Sequence, residues 1–139
     1  MDRRISNEIK SLINKYPDIG DINVCHTKDS QTVKFQNKTF ILLKDYPFIA
    51  PKVLIDDKPY NSFLKTYSIR VLRLLYKNNR DCLCCSTILC NNWSPAHSID
   101  TVLIEIGIIN MLKRRIKYQI FLEEINCPGY ISYNILSYL

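Results

Sequence analysis

The spacing of apolar residues in the first half of the chain predicts one helix followed by an antiparallel sheet. Apolar residues recur at helical spacing over 3–16, and Pro17 and Gly20 end this predicted helix. Short segments of alternating or continuous apolar character follow, separated by polar turn residues. The strands predicted from this pattern are 22–27, 32–36, 39–43 and 53–55. Because they are close in sequence, we expect an antiparallel meander, with turns at 28–30 and 36–38.

The second half of the chain predicts helices. Helical spacing appears over 62–76, and again from Ser98, a good N-cap, to about 112. Asp100 falls in the first turn of this helix, where a negative charge suits the helix dipole. A further helix is predicted over 113–124, and the apolar segment 130–139 is expected to pack back on the domain. The predicted fold class is therefore α+β.

Length and composition predict one domain over 1–139. An apolar fraction of 47% is ample for a single core. The formal charge is +6, but the basic residues are dispersed, and the cluster 113–115 is interpreted as a solvated face. No basic stripe is interleaved with aromatic residues, so we expect no nucleic-acid partner.

The chain shows no pattern typical of secretion or membrane insertion. Its first residues are charged, no cleavable apolar segment follows, and the most apolar stretch, 102–112, is about half the length of a bilayer span. We therefore expect no membrane partner and a reducing compartment, the cytoplasm or the nucleus. Disulfides are disfavoured in such a compartment.

Four of the six cysteines lie within nine residues, 82–90, and the only tryptophan, Trp93, follows at once. With disulfides disfavoured, this cluster leaves three interpretations: a reactive thiol, a metal site, or buried inert thiols. Cys82 and Cys85 have the spacing of zinc ligands, and Cys90 or His97 could complete such a site.

Three segments of the chain resemble the ubiquitin-conjugating enzyme family. The segment 46–53, Tyr-Pro-Phe-Ile-Ala-Pro-Lys-Val, is similar to the one that closes the third strand in that family. The segment 93–96, Trp-Ser-Pro-Ala, matches the turn after its active cysteine, and 98–103 is similar to the start of the following helix. The chain also looks like the short, divergent members encoded by large DNA viruses. The resemblance implies the ubiquitin-conjugating fold: an N-terminal helix, an antiparallel meander sheet and C-terminal helices.

The resemblance also implies a chemistry. A conjugating enzyme receives ubiquitin or a ubiquitin-like protein from an activating enzyme as a cysteine thioester, and transfers it to a lysine without a cofactor. Cys85 lies eight residues before Trp93, the family's usual spacing, and is the expected nucleophile; Cys82, in a Cys-Leu pair, is the alternative. Asn78 is the candidate donor to the oxyanion.

The family's ligase-facing surface maps onto the two turn segments. The residues implied in partner binding are Pro47, Phe48, Trp93 and Pro95. The family's His-Pro-Asn motif is absent upstream of the cysteines, and Tyr76-Lys77-Asn78 is its nearest equivalent. Two alternatives therefore stay open: a catalytically inactive variant of the same fold that binds ubiquitin or a ligase, and a small zinc-stabilised interaction module.

Overall fold

The computed structural model describes residues 2–65, 69–77, 83 and 87–125. The architecture is α+β, with an N-terminal helix, a five-stranded antiparallel sheet and a C-terminal helix, which agrees with the predicted class. The chain divides into two compact units: residues 1–65 with 84–103, and residues 66–83 with 104–139. Each unit is described by itself below. No helix within the described ranges has both the length and the hydropathy that a bilayer span requires.

Helix α1 spans Arg3–Lys15, one residue shorter than predicted. Asp2 caps its start, because its carboxylate accepts a hydrogen bond from the backbone N–H of Arg4 at 3.0 Å. Tyr16 leaves the helical conformation, as expected for a residue that precedes a proline. Ile5 and Leu12 are buried, so the predicted apolar face is the face that packs.

The sheet contains every predicted strand and one additional short strand. Its strands are β1 Asn23–His26, β2 Ser30–Phe35, β3 Lys38–Leu43, β4 Lys52–Ile55 and β5 Lys58–Pro59. They pair in sequence order and antiparallel throughout, so the predicted meander is confirmed. The additional strand, β5, was not predicted, and it follows a tight turn after β4. Asp56 and Asp57 make that turn with positive φ angles, and the chain reverses tightly enough for two more residues to pair with β4.

One face of the sheet carries the core of the first unit. Val33, Phe40 and Val53 lie directly opposite one another on adjacent strands. The rings of Phe35 and Phe40 stack with their centroids 5.6 Å apart. The buried side chains on this face are Val33, Phe35, Phe40, Leu42, Val53 and Ile55. Their period of two explains why the alternation in the sequence located these strands.

The predicted helix 62–76 corresponds to two helices, α2 Tyr60–Leu64 and α3 Ile69–Lys77, with 66–68 outside the described residues. α2 starts two residues earlier than predicted, directly after Pro59, and its residues Tyr60 and Leu64 are buried. A short helix that was not predicted, α4 Ile88–Asn91, precedes Trp93.

The last described helix, α5, spans Ile99–Glu124 without a break. The helix boundary predicted at 112–113 is wrong, because no proline or capping residue interrupts the helix there. Ser98 is its N-cap, as predicted, and its hydroxyl accepts from the backbone N–H of Thr101 at 3.4 Å. Within the second unit, Arg70 on α3 pairs with Glu123 on α5 at 3.1 Å.

Candidate docking site

Two turns of the first unit are joined directly by the only tryptophan. The first, 45–49, follows β3 and is closed by the bond from Phe48 N–H to the carbonyl of Asp45 at 2.8 Å. The second, 93–97, is closed by the bond from His97 N–H to the carbonyl of Ser94 at 2.9 Å. The indole Nε1 of Trp93 donates to the carbonyl of Pro47 at 2.8 Å. We call these two segments the paired turns.

Aromatic packing supports this connection. The ring of Trp93 contacts those of Tyr46 and His97, with centroid distances of 6.1 and 5.6 Å. The peptide bond between Tyr46 and Pro47 is cis. Tyr46 is buried, whereas Trp93 keeps part of its surface in solvent. The indole therefore anchors the turns and also contributes to their outer surface.

The paired turns expose several apolar side chains. Phe48 is 78% exposed and Ile49 is 47% exposed, and Pro95 and Ala96 are exposed on the second turn. Aromatic side chains, including Phe, are enriched at protein–protein interfaces. All four residues predicted to bind a partner thus belong to one connected structure: Pro47, Phe48, Trp93 and Pro95.

A carboxylate behind the paired turns ties them to α1. Glu8 accepts from the hydroxyl of Tyr46 at 2.8 and 2.9 Å, from Nε of Arg4 at 2.9 Å, and from the backbone N–H of Ile99 at 3.1 Å. Arg4 also donates to the carbonyl of His97 at 2.8 Å. Glu8 therefore stabilises the first turn through Tyr46 and the start of α5, which follows the second turn, through Ile99.

Burial and the hydrogen bonds with Glu8 also change the pKa of Tyr46. Burial, together with the negative charge and hydrogen bonding of Glu8, raises the pKa of Tyr46 well above its usual value. Tyr46 is consequently a neutral donor at every ordinary pH. A neutral phenol can donate to a carboxylate without adding a second negative charge.

A second link joins α1 to α5 at Asp100. Its carboxylate accepts from Nζ of Lys15 and from the hydroxyl of Tyr16, both at 2.6 Å. Partial burial opposes ionisation, but these hydrogen bonds prevail and lower the pKa of Asp100. Asp100 thus lies in the first turn of α5, as predicted, and also holds the end of α1.

An open depression of about 490 Å³ lies elsewhere on the first unit, between β4, α2 and α4. Its walls include Pro51, Leu54, Tyr60 and Leu89, and the exposed thiol of Cys90 lies at its edge. The cavity is largely apolar.

The predicted nucleophile Cys85, its alternative Cys82 and the candidate donor Asn78 lie outside the described residues. The zinc alternative also depends on Cys82 and Cys85. Within the described part of the chain, no group of three or more His, Cys, Asp or Glu residues is placed to hold a metal ion. The part of the site that the structure describes is therefore the docking surface and its supports.

No protein-family model, curated protein or solved structure matches the chain.

Proposed function

We propose that this chain is a ubiquitin-conjugating-enzyme-like protein that carries ubiquitin, or a ubiquitin-like protein, as a thioester on Cys85 and transfers it to lysine. The paired turns are the observation that carries the proposal. Two of the three segments that resemble the family, 46–53 and 93–96, lie far apart in sequence, yet the bond from Trp93 to Pro47 joins them.

The order of elements supports the same fold. An N-terminal helix, an antiparallel meander, the turn after the third strand, the Trp-Ser-Pro-Ala turn and a helix starting at Ile99 follow in the order that the resemblance implies. The support network fits this function too, because Glu8 and Asp100 fix the surface that a partner would contact.

The transfer that we propose has two balanced steps. First, the thiolate of Cys85 attacks the thioester carbonyl of the charged activating enzyme, whose own thiolate leaves. Second, a lysine amine attacks the new thioester, an isopeptide bond forms, the Cys85 thiolate leaves and the amine loses a proton. Asn78 is the candidate to hydrogen-bond the oxyanion in both steps.

A second candidate function is supported by the sequence and by the docking surface together. The His-Pro-Asn motif is absent, whereas the exposed Phe48 and Pro95 need no reactive thiol to bind a partner. Under this alternative the chain binds ubiquitin or a ligase and transfers nothing.

One assay separates the two functions. The protein is incubated with activating enzyme, ATP and ubiquitin, and the products are separated with and without reductant. We expect the chain to form an adduct with one ubiquitin, and reductant should remove this adduct. The adduct should be absent from Cys85→Ser and present in Cys82→Ser.

Other outcomes of this assay are informative. Loss only in Cys82→Ser would move the nucleophile to Cys82. No adduct with any of the common ubiquitin-like modifiers would reject the transferase proposal and leave the binding function. A gain of one zinc mass in native mass spectrometry, lost in Cys82→Ser and in Cys85→Ser, would instead favour the zinc-stabilised module.

A further inference from the structure

The sheet of the first unit has one edge that is protected against further pairing. This edge is β5, Lys58–Pro59. Because the pair Ile55–Lys58 closes the turn after β4, the backbone nitrogen of the next residue, Pro59, faces the free edge, and proline has no N–H to donate. A lysine and a proline are two of the means by which proteins prevent association between sheet edges.

The opposite edge, β1, is open. Its residues, Asn23–His26, include neither a proline nor a charged side chain, and they pair with β2 in an unbroken register. Asn23, Cys25 and His26 are exposed, and Val24 is partly exposed. In the described sheet β1 has β2 as its single neighbour. The means that protect β5 are therefore missing at β1.

The hydrogen bonds of β2 show which backbone groups of β1 are available. The N–H of Thr27 donates to the carbonyl of Ser30 at 2.9 Å, just beyond the last pair of the two strands. Bonded pairs alternate along an antiparallel ladder, so residues 25 and 23 bond to β2 in turn. The residues whose N–H and C=O face the free edge are Val24 and His26, and Ile22 continues the alternation. An extended backbone is the shape that matches such a row.

A second copy of this chain fits the row, because an antiparallel β1 presents the same donors and acceptors in the same order. The pairing would also close at two copies, since a two-fold axis uses each β1 once and β5 is protected. The chain carries a formal charge of +6, and β1 is a segment of its surface without charge. Repulsion between like-charged copies therefore opposes contact least along this strand.

Charge also selects the register of the two strands. The outward groups align when Val24 lies opposite the Val24 of the second copy, or when Cys25 lies opposite its own counterpart. The second register would bring Asp21 of one copy next to Asp29 of the other, and like charges placed opposite each other are destabilising. The first register avoids this pair and covers the exposed part of Val24 with a second valine.

We propose that two copies pair antiparallel through β1 about a two-fold axis at Val24, which joins their two five-stranded sheets into one. Val24 exchanges backbone hydrogen bonds with its counterpart, and Ile22 of each copy does so with His26 of the other. So short a strand pair buries less than the roughly 1,000 Å² of a stable interface. We therefore expect a transient dimer with a Kd on the order of 100 μM.

Sedimentation equilibrium of the full chain over a range of concentrations tests the dimer. Val24→Pro removes an outward N–H and leaves the bonds to β2 in place, so association should weaken at least about tenfold. Cys25→Lys, at an exposed side chain, should weaken it as much by adding a charge to the edge. The matched control is Ser62→Lys, which adds the same charge at an exposed position of α2 and should keep the wild-type Kd.

A disulfide tests the register. Residue 23 lies opposite Cys25 of the second copy as a non-bonded pair, where the Cα atoms are about 4.5 Å apart and a disulfide can form. Mild oxidation of Asn23→Cys should therefore give a covalent dimer, and peptide mapping should find the introduced thiol joined to Cys25. A link between the Cys25 residues of two wild-type copies would overturn the register.

Two results would overturn the dimer itself. One is a chain that stays monomeric up to about 1 mM, tenfold above the expected Kd, which would leave β1 to an extended segment of another protein. The other is a dimer that Val24→Pro and Cys25→Lys both leave intact, which would place the contact elsewhere. Far-UV circular dichroism checks that each variant is folded, and Cys25→Lys keeps the test valid if Val24→Pro does not fold.

Discussion

At the scale of single residues, Glu8 is the polar side chain with the largest expected effect on stability. Its carboxylate joins Arg4, Tyr46 and the N–H of Ile99, so Glu8→Gln removes a charge and an acceptor from a partly buried network. We expect the free energy of unfolding to fall by about 2–3 kcal/mol, measured by urea denaturation with Trp93 fluorescence as the probe. The matched control is Glu124→Gln, at an exposed ion pair, where about 0.5 kcal/mol or less is expected. Equal losses in the two variants would contradict this role of Glu8.

Tyr46→Phe removes only the hydroxyl that Glu8 accepts. We expect a loss of about 1–2 kcal/mol near neutral pH. Since the folded-state pKa of Tyr46 is raised, its contribution is fully present below the unfolded value near 10 and is lost as the pH rises above it. The stability gap between wild type and Tyr46→Phe should therefore be constant from about pH 6 to 9 and should narrow above about pH 10. A gap that widens at high pH would contradict this assignment.

Asp100 has the opposite pH dependence. Its folded-state pKa is lowered, so its contribution is present above the unfolded value near 4 and is lost as the pH falls. Asp100→Asn should be slightly less stable than wild type at neutral pH, because the exposed ends of the pair are screened by solvent. Thermal unfolding curves of the two proteins should converge below about pH 4. A constant difference down to pH 3 would indicate that packing, and not charge, sets the effect of Asp100.

At the scale of elements, α1 offers a comparison between adjacent residues. Leu12 is 1% exposed and Ile13 is 51% exposed. Leu12→Ala should lower the free energy of unfolding by about 2–5 kcal/mol, because it leaves a cavity. Ile13→Ala should change it by about 0.5 kcal/mol or less, because solvent already covers that side chain and alanine favours the helix. Chemical denaturation of both variants checks the prediction, and a larger loss at Ile13 would mean that α1 packs on its other face.

The sequence was a good guide to elements whose periodicity reflects one buried face. The strands were found because Val33, Phe35 and Phe40 are buried at a period of two. The predicted ends of helices were less accurate where the sequence contains no proline, glycine or capping residue. Nothing at 112–113 distinguishes a joint between helices from continuous helix, and the short α4 carries too few residues for a period to be visible.

The docking site was predictable only in part. The Tyr-Pro-Phe and Trp-Ser-Pro-Ala segments identified the paired turns by resemblance. Glu8 was missed, since its helical position marks it as an ordinary polar residue, and its partner Ile99 lies 91 positions away in sequence. The spacing of residues in a sequence indicates which side chains are neighbours within one helix or strand. The Glu8 network instead depends on how α1, the turn at Tyr46 and the start of α5 pack together.

At the scale of the whole molecule, the chain order of the first unit has a consequence during synthesis. This unit combines residues 1–65 with 84–103, so the ribosome makes α1 and the sheet before the segment that completes them. At translation rates of about 5–20 residues per second, the interval between residues 65 and 103 is roughly 2–8 s. Trp93 and Ile99 are made only late in that interval, so Pro47 and Glu8 lack these partners for most of it. A nascent chain paused in this interval should therefore be bound by chaperones and cut by proteases more readily than the finished protein.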